Sequence, residues 1–211
     1  MNQQTFIQQF NLVTANGLPG EEAHKALMPI DRPFSSEALK NIKDYKKSAV
    51  GIILFKEKDS LHCVLIQRPQ YNGVHGNQIS FPGGKMDASD SNLEITARRE
   101  CMEEISLQSE LMTTIGRLTQ VFIPVSKFLV QPFIFFVENM PELIPDQREV
   151  DEIFTFDIRE LLADESLKSM NMQFGNGRIQ KNVPYFAFEE RIIWGATAMI
   201  LAELKGIIKQ F

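Results

Sequence analysis

Residues 83–104 read GGKMDASDSNLEITARRECMEE, and the reading of this stretch decides the fold. It opens on a Gly-Gly turn, crosses a polar spacer with Asp87 and Asp90, and ends in a helical pattern from about Asn92 to Glu104. Ser91 is expected to cap that helix, with Glu94 three residues later completing a capping box. At about 100° per residue, Glu100, Glu103 and Glu104 fall within roughly a third of the helix circumference. Like charges so placed repel by about a few tenths of a kcal/mol per pair, and the macrodipole disfavours anions near a helix C-terminus. A bound cation relieves both penalties, and hard carboxylate oxygens suit Mg²⁺ or Mn²⁺. An isolated ExxEE cluster is most often a solvated acidic face. Here a Gly-Gly turn precedes it at a set distance and Arg99 stands directly before Glu100, which favours the metal reading.

Working outward, Ala49–Phe55 and Leu61–Gln67 read as paired strands joined by the turn KEKDS. Arg68 to Asp90 is rich in Gly, Asn, Pro and Asp and reads as a long functional loop with a short extended piece at Gln78–Phe81. Thr113–Phe122, Lys127–Val137 and Val150–Phe156 are strand candidates, the last followed by a short acidic helix. Gly175-Asn176-Gly177 marks a hairpin turn, and Ile192–Ile208 reads as an amphipathic closing helix with Trp194 as its packing anchor. Strands and helices mix without regular βαβ alternation, so an α/β (α+β) fold with a mixed sheet between helices is expected. At 211 residues the chain suits one domain, residues 1–211, with a mainly helical extension over residues 1–46 packed on it.

Lys+Arg 22 against Asp+Glu 27 gives a net charge of −5, which argues against duplex binding because that needs a basic face. A small anionic ligand is still admitted, since bound metal inverts the local field. Two cysteines, Cys63 and Cys101, are too few for a disulfide framework, and His24, His62 and His75 lack zinc spacing. With no signal-peptide layout and no bilayer-length apolar run, a cytoplasmic location without membrane partners is expected. Gly83-Gly84-Lys85 is no P-loop, because the earlier glycine and the Ser/Thr after the lysine are missing.

The stretch resembles the Nudix box, in which Gly is followed by a spacer, Arg-Glu, two residues and Glu-Glu. Gly84, Arg99, Glu100, Glu103, Glu104 and Leu107 match it. Asp90 stands for the first Glu of the box, the following spacer is one residue longer, and Ser106 replaces the second Gly. The resemblance implies a Nudix-type α/β/α sandwich with a catalytic loop-helix-loop, acting on a diphosphate bond with Mg²⁺ or Mn²⁺. It implies that Glu100 and Glu104 are the main metal ligands. Glu103 would be a further ligand or orient the attacking water, and Arg99 would hold the carboxylates. In this superfamily the general base is often a glutamate on a distant loop. REVDEIF offers Glu149, Asp151 and Glu152, and Glu152 or Glu149 is expected to serve.

The segment from Leu65 to Lys85 resembles the signature of the coenzyme A pyrophosphatase subgroup, with Leu65, Arg68, Phe81, Pro82, Gly83 and Gly84 matching. Ile66 stands for its Thr and Gly73 for its second Arg, while the longer spacer and Asp90 are similar to the subgroup. The implied substrate is coenzyme A or a derivative, split into 3′,5′-ADP and 4′-phosphopantetheine. Arg68, His75, Gln78, Gly83, Gly84 and Lys85 are the expected substrate contacts, and Tyr71, Phe122 or Phe128 could stack on adenine. The competing readings are hydrolysis of ADP-ribose, NADH or another nucleoside diphosphate derivative, and a Nudix-fold nucleotide sensor that does not cleave. A homodimer is the protein assembly admitted.

Overall fold

Apolar side chains alternate along the central strands, and each set faces its own helical layer. The computed structural model describes residues 1–30, 32–70, 76–173, 177 and 179–211. The first segment holds helices α1 (Gln3–Thr14), α2 (Glu21–His24) and α3 (Ser35–Leu39). The strands β1 (Lys46–Glu57), β2 (Ser60–Gln67), β3 (Ile79–Ser80) and β4 (Gly83–Lys85) lead to helix α4 (Leu93–Ile105). Then come β5 (Thr113–Arg117), β6 (Val121–Ile123), β7 (Phe128–Val137), β8 (Glu152–Asp157) and helix α5 (Ile158–Leu162). A small antiparallel sheet of β9 (Leu167–Gln173), β10 (Ile179–Phe188) and β11 (Arg191–Trp194) precedes helix α6 (Gly195–Ile208).

The larger sheet is mixed: β1 runs parallel to β7 and antiparallel to β2 and β4. On one face Ile52, Leu54, Cys63, Leu65, Ile134 and Phe136 meet α6 and α1. On the other, Ile53, Phe55, Val64, Ile66, Phe133 and Phe135 meet Ala97, Cys101 and Ile105 of α4. The period of two therefore builds an α/β/α sandwich, with a separate core under each helical layer. Phe6 and Phe10 of α1 are buried, which contributes about 1.5–3 kcal/mol each. The segment is also tied by polar contacts. The fully buried Glu203 of α6 accepts from the Gly20 amide at 3.1 Å and from Thr119 Oγ1 at 2.7 Å, and lies 3.3 Å from His24 Nε2.

Several local expectations are corrected. The cap of α4 is Asn92, not Ser91: its Oδ1 accepts from the amides of Glu94 at 2.9 Å and Ile95 at 3.0 Å. Glu94 forms no capping box because Arg98 and Thr114 take its carboxylate, at 3.2 and 2.6 Å. Asn92→Ala should accordingly cost about 1 kcal/mol in urea denaturation, and Ser91→Ala much less. The β1–β2 turn is narrower than KEKDS, since Glu57 already pairs with Ser60 and only Lys58 and Asp59 remain, with Lys58 left-handed at φ 52. The single strand expected over Thr113–Phe122 is broken, because the Thr119 amide also turns aside to Glu203 at 3.0 Å. The strand expected from Val150 begins at Glu152. The closing helix starts at Gly195, not Ile192: Arg191–Trp194 pairs with β10, and Gly195 at φ 65 separates strand from helix. Strands β9 and β10 do form a hairpin, while Gly175 and Asn176 of its expected turn lie outside the described residues.

Candidate metal and nucleotide site

Helix α4 presents its acidic face to β4 and to the loop before β8. Glu100 and Glu104 are buried, and their carboxylates share one point with that of the exposed Glu149, the ligand atoms all lying within 4.8 Å of one another. Glu149 is forty-five residues beyond Glu104, yet the helix end itself brings it there. The carbonyls of Glu104 and Ile105, left unpaired by the helix, accept from the amides of Asp146 at 3.0 Å and Ile144 at 3.2 Å. Ser106, left-handed at φ 58, turns the chain and donates its Oγ to the Ile144 carbonyl at 3.0 Å. A turn then ties the Glu149 amide to the Asp146 carbonyl at 2.9 Å, and Val150 is fully buried behind it.

Two arginines divide the acids between them. Arg99 donates to Asp90 through Nε at 3.1 Å and Nη2 at 3.0 Å, and through Nη1 to Glu100 and Glu103, both at 2.8 Å. It also donates to the Lys85 carbonyl at 3.1 Å, which ties the Gly-Gly turn to the helix. Hydrogen bonds from Arg99 hold Asp90 down to about 2 against its own burial, and Thr96 and the Asp87 amide add to this. Asp90, read from the sequence as a departure from the family pattern, is thus the anchor of Arg99. Arg68 places Nη1 at 3.1 Å and Nη2 at 3.0 Å from Glu104 Oε1, while the Gly83 amide donates to Oε2 at 2.7 Å.

Burial pushes Glu104 up to about 8 despite Arg68 and the Gly83 amide, and Glu100 and Glu149 push the same way. Burial also raises Glu100, opposed by Arg99. Carboxylates that resist ionisation chiefly because they are buried, and secondarily because other acids stand near, are what a divalent cation would relieve, so the donor set fits Mg²⁺ or Mn²⁺. Glu104 is raised above its ordinary 4.5, so its contribution to stability is present below about pH 4.5 and lost as pH rises through about 8. Added Mg²⁺ or Mn²⁺ should therefore raise the Tm more at pH 8 than at pH 6, and Glu104→Gln should flatten that difference in thermal denaturation.

Gly83 and Gly84 make the close approach possible. A Cβ on Gly84 would lie 2.5 Å from the Glu100 carboxylate, and one on Gly83, at φ 155, would lie 2.4 Å from the Ala49 carbonyl oxygen.

A cavity of about 800 Å³ opens beside the acids, large enough for a nucleotide derivative. Glu100, Glu149, Arg68, Gln78, Gly83, Gly84 and Lys85 line it. Pro29, Arg32, Pro33, Pro124, Phe128, Trp194 and Thr197 line it as well.

Of the sequence candidates, the structure brings Glu100, Glu104 and Glu149 together. Glu103 turns to Arg99, and Glu152 lies on β8 with Oε1 2.6 Å from Arg191 Nη2, so neither joins the three carboxylates. Phe128 lines the cavity, whereas Phe122 is buried. Trp194 borders the cavity instead of only anchoring α6. His75 and Tyr71 lie outside the described residues. Arg32 was missed in the sequence, where it stands in a Pro-flanked polar stretch with no pattern around it.

The NUDIX domain family matches residues 45–173, and the chain belongs to that family. It is 30% identical over 169 residues to "Nudix hydrolase 15, mitochondrial" of Arabidopsis thaliana, covering 77% of this chain and 58% of that protein. It is 31% identical over 137 residues to "Mitochondrial coenzyme A diphosphatase NUDT8" of Homo sapiens, covering 64% of this chain and 57% of that protein. The chain thus spans less than two thirds of the length of either relative. A solved Nudix hydrolase from M. smegmatis, RenU, shares the fold with a TM-score of 0.54 at 14% identity, over 79% of this chain and 87% of that one.

Proposed function

We propose that this protein hydrolyses the phosphoanhydride of a nucleoside diphosphate derivative, and that coenzyme A or an acyl form of it is the substrate. The observation that carries the hydrolase reading is the meeting of Glu100, Glu104 and Glu149, two of which, Glu100 and Glu149, line the cavity. Glu100 and Glu104 would hold Mg²⁺ or Mn²⁺, which supplies charge neutralisation at the phosphoryl oxygens and acidifies bound water. Glu149, exposed and within 4.8 Å of the other two carboxylates, takes the proton of the attacking water. The water oxygen bonds to phosphorus and the bridging oxygen departs with the other phosphate. Arg99 holds Glu100 and Glu103 in place, and Arg68 with the Gly83 amide fixes the orientation of Glu104. Gln78, Gly84 and Lys85 line the approach to the diphosphate, and Phe128 offers an aromatic face.

Two observations support the coenzyme A reading: the identity to the human coenzyme A diphosphatase, and the position of Arg68, Phe81, Gly83 and Gly84 on the cavity wall. Cys63 and Cys101 are free and buried on opposite faces of the sheet, which suits the reducing cytoplasm expected for the chain. Among the described residues no helix is long and apolar enough to cross a membrane. The test is hydrolysis of coenzyme A, acetyl-coenzyme A, ADP-ribose, NADH and diadenosine polyphosphates with Mg²⁺ or Mn²⁺, the products being identified. Release of 3′,5′-ADP and 4′-phosphopantetheine with the highest kcat/KM is expected. A higher kcat/KM for ADP-ribose or NADH would reassign the substrate, and binding without any cleavage would leave a sensor.

A further inference from the structure

We propose that Arg32 is the specificity residue that receives a second phosphate of the substrate, the one carried on its ribose; this rests on the coenzyme A reading above. Arg68, Arg98, Arg99, Arg148, Arg159 and Arg191 each meet a carboxylate. Among the described residues only Arg32 and Arg117 do not, and Arg117 is exposed. Arg32 is half-buried on the cavity wall, where Nη2 donates to the Phe122 carbonyl at 2.6 Å. One carbonyl uses one of the five guanidinium donors and neutralises no charge. Burial lowers its pKa only to about 10, so the side chain is a cation at neutral pH. A partly desolvated cation that meets no carboxylate among the described residues is costly, and a ligand phosphate would offset that cost.

Its distance from the acids suits a nucleotide. Phe122 pairs with Leu129, Leu129 pairs with Lys47, and the neighbouring Ser48 pairs with Lys85 beside Gly84. Three strand spacings of about 4.8 Å separate the Phe122 carbonyl from the Gly84 turn, roughly 14 Å. Allowing about 3 Å for a charge-assisted contact at each end leaves about 8 Å, close to the span of a ribose with a phosphate at either end. Pro29, Pro33 and Pro124 line the same cavity as the guanidinium, which is itself half-buried.

The experiment compares binding of 3′,5′-ADP and 5′-AMP to the full chain by calorimetry, alongside kcat/KM for coenzyme A and dephospho-coenzyme A. The native protein is expected to favour the 3′-phosphorylated member of each pair by about 10- to 100-fold, the worth of one hydrogen-bonded charge pair. Arg32→Gln should bring both ratios close to unity, and Arg32→Lys should keep part of the preference. Equal binding of 3′,5′-ADP and 5′-AMP by the native protein overturns the assignment, whether or not the variants fold. So does an unchanged ratio, or an equal loss of both ligands, in Arg32→Gln. If coenzyme A is not cleaved but the binding preference exists and vanishes in Arg32→Gln, the substrate reading fails and Arg32 as the phosphate contact stands.

Discussion

Glu104→Gln should lower kcat by about a thousandfold or more while leaving the fold and its thermal stability nearly unchanged. As the metal ligand proposed above, Glu104 would contribute through charge on the phosphoryl oxygens and the acidity of bound water. Losing about 4 kcal/mol of transition-state stabilisation corresponds to about 10³ in rate. The stability side is a balance of smaller terms. Gln has one acceptor where Glu104 offers two, so either Arg68 or the Gly83 amide loses its partner, at about 1–3 kcal/mol. Against this, the substitution removes a buried carboxylate that the fold already pushes up to about 8, so little charge is lost from the metal-free protein at neutral pH. Turnover with saturating Mn²⁺, alongside thermal denaturation, separates the two effects. Near-native kcat would remove Glu104 from the metal site.

The glycine pair should separate stability from activity. For Gly83→Ala the new Cβ meets backbone, 2.4 Å from the Ala49 oxygen and 2.6 Å from the Val50 Cα, at a φ of 155 that side chains rarely adopt. Strand β4 would have to leave β1, so the variant should lose about 3 kcal/mol or more and its activity together. For Gly84→Ala the new atom meets only the end of the Glu100 side chain, at 2.5 Å. That carboxylate can rotate away, so the stability loss should stay below about 1 kcal/mol, within the range for sites without backbone conflict. Activity should nevertheless fall about 10²-fold if Glu100 is the metal ligand proposed above, because displacing it by about 1 Å costs that much. Urea denaturation and kcat on the same preparations check both. A Gly84→Ala enzyme with native kcat would show that Glu100 can serve from another rotamer.

Much of the sandwich could be read before any coordinates because its determinants are local. The period of two through AVGIILF, LHCVLIQ and LVQPFIFFV assigns alternate residues to two cores, and the structure puts α4 on one face and α6 on the other. The acidic face of α4 follows equally from helix geometry, since Glu100, Glu103 and Glu104 share a side in any α-helix. Where local signals competed, the sequence was ambiguous. Ser91 and Asn92 are equally good caps, and Ile192-Ile193 suits a helix or a strand until the pairing partner in β10 is known.

The chain alone therefore specified a helix with three carboxylates on one side, because spacing on a helix needs no partner. Which acids converge was decided by packing. Glu103 has the right spacing but turns to Arg99, while Glu149 has none and reaches the cluster because its loop satisfies the free carbonyls at the end of α4. Arg68 shows the same division. A cation in the loop was legible, but the carboxylate of Glu104 that it grips depends on a sheet bringing residues 68 and 104 together. Arg32 carried no signal at all, since a half-buried cation that meets no carboxylate among the described residues is defined only by what surrounds it in space.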